Sequence, residues 1–225
     1  MDRENAVSLT LFAHPFSSYC QKVLIALYEN ATPFTYRQLG PEDPEAGAEW
    51  AGLWPLKRMP VLVDDGAPVF ESSVIIEHLG LFHPGPVALL PADPKAALAI
   101  RTMDRFFDNY VMTPMQKLVH DHMRPTGERD PYGVAQARAQ LDEAYRWLDG
   151  AVAKGGWACG DAFTLADCAA APSLFYADWV HRIDPAFGHA RAYRARLLAR
   201  PSVARAVDEA RPYRKFFPPG APDRD

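Results

Sequence analysis

Ser17 and Cys20 stand three residues apart at the head of an apolar run, Val23, Leu24, Ala26, Leu27 and Tyr28, that is spaced to line one face of a helix. Three is the separation of the two cysteines in a redox Cys-x-x-Cys pair. With serine in the first place no disulfide can close there, which argues against a dithiol reductase. What remains is a hydroxyl donor in front of a helix start, where the partial positive end of the helix and the hydroxyl together favour an anion. Ser17 also suits a plain helix N-cap, and Ser18 offers a competing hydroxyl one residue on. Cys20, Cys159 and Cys168 read best as small apolar fillers.

Two further pairs could bind a ligand. Met59-Pro60 stands before the run Val61-Leu62-Val63. A cis bond there presents the N–H and C=O of Met59 to an extended peptide, whereas a trans proline merely starts the strand. Glu71-Ser72 stands at a helix start, whose unpaired N–H groups and serine hydroxyl suit a carboxylate, while the Glu71 side chain suits an ammonium. As a plain alternative, Ser72 caps the helix and Glu71 sits favourably at its positive end.

The surrounding elements place these pairs. The pattern predicts a strand at 9–12, the loop 13–17, the helix carrying Val23 and a second strand at 34–37, a β-α-β unit with parallel strands. Residues 40–52, acidic and rich in Pro and Gly, predict no definite helix. Pro60 to Asp64, the Asp65-Gly66 turn and Pro68 to Phe70 predict a hairpin, and Ser72 or Ser73 opens a helix from Val74 to Phe82. Residues 84–91 read as a linker. Beyond it only helical patterns occur: 96–122, 134–153, one from the capping box at Thr164–Asp167 to about Val180, 188–199 and 201–211. Pro172 is expected to kink the third of these, and losing the Thr164 cap to cost about 1 kcal/mol.

The 225 residues carry 24 Lys and Arg against 28 Asp and Glu, a formal charge of −4 that argues against nucleic acid or an anionic membrane as partner. No apolar run nears the roughly 18 residues of a spanning helix. The opening MDRENAVSLTLF lacks the order of a secretion signal, so a cytoplasmic protein is expected. Three cysteines are an odd number at spacings that match no zinc set, and His120 and His122 point about 200° apart on a helix, so no metal is expected. The arginines between Arg191 and Lys215 read as a solvated helical face.

Taken together, the strand-loop-helix around Ser17, the Met59-Pro60 step and Glu71-Ser72 resemble the cytosolic glutathione transferases over about residues 6–218. The closest likeness is to their serine-type, zeta and theta, classes, through Ser17-Ser18-Tyr19-Cys20 followed by Val23. The resemblance implies a thioredoxin-like α/β domain with a mixed sheet (6–83), a linker (84–91), an all-α domain (92–218) and a tail (219–225). It implies glutathione as cosubstrate, a small hydrophobic electrophile as the second substrate, and a homodimer. By the same resemblance Ser17 is the catalytic serine, Met59-Pro60 is cis and holds the cysteinyl part of glutathione, and Glu71 with Ser72 holds its γ-glutamyl end. Lys57 and Arg58 could reach the glycyl carboxylate. An electrophile pocket between the domains is expected to use Phe16 and, from the first long helix of the second domain, Phe107 and Tyr110. Two rivals stand beside this reading. One is a glutathione-dependent isomerase of the zeta (maleylacetoacetate isomerase) kind, which Tyr19 weakens because zeta relatives have cysteine there. The other is a transferase-like module that binds without turnover.

Overall fold

The structure, a computed structural model, describes residues 9–225, so residues 6–8 of the expected first domain lie outside it. The chain divides into two compact units, one ending at Leu89 and one comprising Leu90–Asp225. In the first, β1 (Leu9–Ala13), α1 (Ser18–Glu29), β2 (Thr35–Gln38), α2 (Pro44–Leu53), β3 (Val61–Asp64), β4 (Ala67–Val69) and α3 (Ser72–Phe82) follow in order. The sheet runs β2-β1-β3-β4, with β1 and β2 parallel and the other neighbours antiparallel, which is the expected mixed sheet. Phe12 pairs with Val61, and Leu62 with Val69. The exit of β1, the entry of β3 and the exit of β4 therefore share one end of the sheet. The loop to Ser17, the Met59-Pro60 step and Glu71-Ser72 all hang from that end.

Both faces of the central strands are covered. Phe12 and Val61 pack with Leu39 and Ala46 and with the partly buried Trp50, Leu53, Trp54, Met59 and Phe70. Leu11 and Leu62, one residue out of step, turn to the opposite face by strand alternation and are fully buried. α1 and α3 pack together; Lys22, itself fully buried, donates from Nζ to Ser73 Oγ at 2.9 Å and ties them.

α2 corrects the reading of 40–52. Asp43 caps it, its Oδ1 accepting from the Ala46 N–H at 2.9 Å, and Pro44 takes the first helical position, where its missing N–H costs nothing. α3 begins at Ser72, two residues earlier than the apolar pattern suggests, and neither serine caps it. Glu71 occupies the N-cap position at φ 68°, without a side-chain cap bond.

The second unit contains α4 (Pro94–Phe106), a π-helical segment (Phe107–Met112), α5 (Thr113–His122), α6 (Pro131–Ala151), α7 (Leu165–Val180), α8 (Gly188–Leu198) and α9 (Pro201–Ala210). The single helix expected over 96–122 is thus split by wider turns, which shift the buried face by a fraction of a turn. α7 is buried along most of its length and runs on through Pro172 as one element. Its capping box forms: the Thr164 N–H and hydroxyl both donate to Asp167 Oδ2, at 2.9 and 3.0 Å. The expected tail folds back on its own unit, Arg224 pairing with the Asp178 carboxylate and Asp225 with Arg211 and Arg214. Among the described residues no helix is long and apolar enough to cross a membrane.

Candidate active site

Ser17 takes the N-cap position of α1 with extended backbone, and its C=O accepts the Gln21 N–H at 2.9 Å. Its hydroxyl makes no cap bond, so the plain N-cap reading fails in the part that mattered: the helix does not use the hydroxyl. The hydroxyl lies beside the Cys20 thiol. Burial pushes the Cys20 thiol up to about 11, against the opposing effects of that hydroxyl and of the His14 N–H, so Cys20 stays protonated and inert. Ser18 is buried and faces away from solvent.

The loop before Ser17 is braced from within. The Ser17 N–H donates to the His14 carbonyl at 3.0 Å, the Phe16 N–H donates to His14 Nδ1 at 3.1 Å, and Gln21 Nε2 donates to the Pro15 carbonyl at 2.9 Å. His14 was not singled out from sequence. Its position three residues before the serine was the available signal. Partial burial lowers its pKa, more than the charge of Glu42 raises it. A neutral imidazole is needed for Nδ1 to accept from Phe16. The sign follows: a histidine whose folded pKa is depressed stabilises the fold above its ordinary value near 6.5 and loses that contribution as pH falls through the lower folded value. We expect the His14 ring to titrate below 6.5 by NMR, and ligand affinity to weaken on that acid limb. His14→Asn, which keeps an acceptor without titrating, should flatten the limb; an unchanged limb contradicts this role for His14.

The Met59-Pro60 bond is cis, Pro60 is buried, and Met59 lies two residues before Val61, the first paired residue of β3. The β1–β3 register carried past Phe12 and Val61 sets Met59 opposite His14. α2 fixes this step from below: the Trp50 indole donates to the Arg58 carbonyl at 2.9 Å, and Trp54 stacks on Phe70 at 3.9 Å between ring centroids. Phe70 leads straight into Glu71, whose φ of 68° is uncommon for a residue with a side chain and costs on the order of 1–3 kcal/mol. Such strain persists where neighbours over-determine it. Ser72 is buried as the first residue of α3, while Glu71, Lys57 and Arg58 are exposed.

A family model described as the glutathione S-transferase N-terminal domain matches residues 11–86, and one for the C-terminal domain matches residues 131–196. A solved glutathione S-transferase of Methylobacterium radiotolerans, in complex with glutathione sulfonate, is 30% identical with a TM-score of 0.76, covering 89% of this chain and 94% of that one. The chain belongs to the glutathione transferase family. A second transferase, from Methylobacillus flagellatus with glutathione bound, is 25% identical with a TM-score of 0.79, over 88% of this chain and 98% of its own. A stringent starvation protein A homolog of Coxiella burnetii is 28% identical over 167 residues, 74% of this chain and 75% of that one.

Within this family member the residues expected to meet an electrophile fare differently. Phe16 is half-buried next to Ser17. Phe107 is fully buried against Phe106 and Tyr193 of its own unit. Phe107 and Tyr110 both lie in the wider-turned segment Phe107–Met112, where Tyr110 is 63% exposed.

Proposed function

We propose that this glutathione transferase family member is a working, serine-type transferase that binds glutathione along Met59, Glu71 and Ser72 and supports its thiolate with Ser17. The observation that carries the reading is topological. Strand register delivers a serine hydroxyl not engaged in capping, a cis Met59-Pro60 step and a helix start with a strained acidic N-cap to the same end of one sheet. Each suits one part of the tripeptide: the Met59 backbone pairs with the cysteinyl residue as a short added strand, the N–H groups opening α3 and the Ser72 hydroxyl take the γ-glutamyl carboxylate, and Glu71 takes its ammonium. Lys57 and Arg58 are assigned to the glycyl carboxylate.

A free thiol near pKa 8.5 is only a few per cent thiolate at neutral pH. Lowering that value by about two units takes roughly 2.7 kcal/mol, within reach of one charge-assisted hydrogen bond and a helix end. The thiol proton passes to solvent. The sulfur then forms a bond to an electrophilic carbon, and the group displaced leaves with the electron pair. Phe16 supplies apolar surface beside the sulfur. We further propose a cytoplasmic homodimer.

The likeness to the stringent starvation protein A homolog favours a second reading, a module that binds without turnover. Calorimetric titration of the full chain with glutathione, followed by a screen of electrophiles, diacid isomers and hydroperoxides, decides between them. One glutathione per chain is expected, with affinity reduced about 10- to 100-fold in Glu71→Gln, the loss of one charge-assisted hydrogen bond. No uptake by folded protein contradicts both readings, and uptake without any conversion leaves only the module.

A further inference from the structure

At the opposite end of the same sheet, three side chains from separate parts of the chain meet. Asp64 Oδ2 lies 2.7 Å from His78 Nε2 and 2.7 Å from His83 Nε2. The backbone brings them together deliberately. Asp64 closes β3 and is paired on both sides, with Leu9 and with Ala67, and the turn after it is fixed by Asp65 and Gly66 at φ 47° and 84°. On a continuous helix residues five apart point about 140° away from each other. His83 reaches the same carboxylate as His78 because α3 ends there: His83 is its C-cap, at φ −133° and ψ 52°. The Phe82 ring packs 4.7 Å from that of His78 and forms an apolar wall. All three side chains keep 15–19% of their surface exposed, so one side of the cluster is open to solvent.

We propose that Asp64, His78 and His83 form a binding site for a divalent ion of the zinc class, separate from the glutathione site and independent of it. The donor set is two imidazole nitrogens and one carboxylate oxygen, all within 4.8 Å of one another, which suits Zn2+ or Co2+ and not the all-oxygen preference of Mg2+ or Ca2+. Three protein ligands leave a fourth tetrahedral position, on the solvent side, for water. Ligand atoms about 2.0–2.2 Å from such an ion stand roughly 3.4 Å apart, so the 2.7 Å edges must open by under about 1 Å, a side-chain adjustment. Ion binding requires each ring to carry its proton on Nδ1, so that the Nε2 lone pair takes the ion. Spacing hid the cluster from a sequence reading, because neither 14 nor five residues is a helical ligand interval.

The competing account is a plain hydrogen-bonded staple between the β3–β4 hairpin and the end of α3. Glutamine separates the two, since its amide can still donate to Asp64 but binds the ion far less well than imidazole. The test is titration of Co2+ into tag-free full-length protein first dialysed against a chelator, read by visible d–d absorption, with Zn2+ as competitor and thermal melting in parallel. One Co2+ per chain, displaced by Zn2+ and raising the melting temperature, is expected. His83→Gln and His78→Gln should fold normally by circular dichroism and bind Co2+ more than about 100-fold more weakly, exceeding the loss typical of a supporting group next to a ligand. Absence of a Co2+ band and melting shift in the wild type, or Co2+ binding by folded His83→Gln as tight as wild type, overturns the site.

Discussion

Ser17→Ala is expected to lower kcat/KM for glutathione-dependent conversion by about 10- to 100-fold at neutral pH, the worth of one hydrogen bond to a charged sulfur. Glutathione affinity should change much less, because the proposed site assigns the rest of the tripeptide to Met59, Glu71 and Ser72. The hydroxyl lies beside the Cys20 sulfur, a neutral thiol and a weak acceptor. An anionic sulfur placed before α1 outcompetes it after a single rotation about the Ser17 side-chain bond. Cys20→Ala and Ser18→Ala should therefore leave turnover within a few-fold of wild type. Steady-state rates on any electrophile the screen returns decide the matter. Should Cys20→Ala abolish turnover while Ser17→Ala does not, the serine assignment is wrong.

The largest effect on stability is expected at Asp167. Its carboxylate accepts from the Thr164 N–H and hydroxyl, from the Ala158 N–H at 2.9 Å and from the Tyr193 hydroxyl at 2.6 Å, all inside the helical unit. Burial raises its pKa, and those four donors work against the rise. Asp167→Ala leaves three groups' donors without an acceptor in the core, at about 1–3 kcal/mol each. A loss of about 3–5 kcal/mol is a large part of the roughly 5–15 kcal/mol that holds a domain together, and lowers the melting temperature by roughly 10 °C or more. Asp167→Asn, which retains one carbonyl acceptor, should lose about half as much. Thermal melting followed by circular dichroism measures both; a shift of only a degree or two for Asp167→Ala contradicts this accounting. The roughly 1 kcal/mol expected for the Thr164 cap concerns that residue alone, whereas Asp167 also accepts from Ala158 and Tyr193.

The strands were legible because their apolar residues alternate or run continuously between turn residues, and Asp65-Gly66 fixed the hairpin. Ser17, Met59-Pro60 and Glu71-Ser72 were legible as short pairs. That they share one end of a sheet needed the register. α2 was missed although Asp43-Pro44 carries the signature of a capped helix start, because Gly47 and Gly52 lower its helical propensity. The wider turns of Phe107–Met112 leave no mark in a pattern read at 3.6 residues per turn, and so the single helix expected over 96–122 is split. Glu71 at φ 68° was illegible in principle: a backbone outlier in a residue with a side chain is set by the neighbours that hold it, here Phe70 stacked on Trp54.

The central claim is that this sheet end makes a bound thiol more acidic. Ultraviolet difference absorption of glutathione thiolate, titrated against pH with saturating full-length protein, tests it most directly. The account predicts a midpoint about two units below that of the free thiol, moving back up by about one to two units in Ser17→Ala. A bound thiol that titrates at the same pH as free glutathione contradicts it.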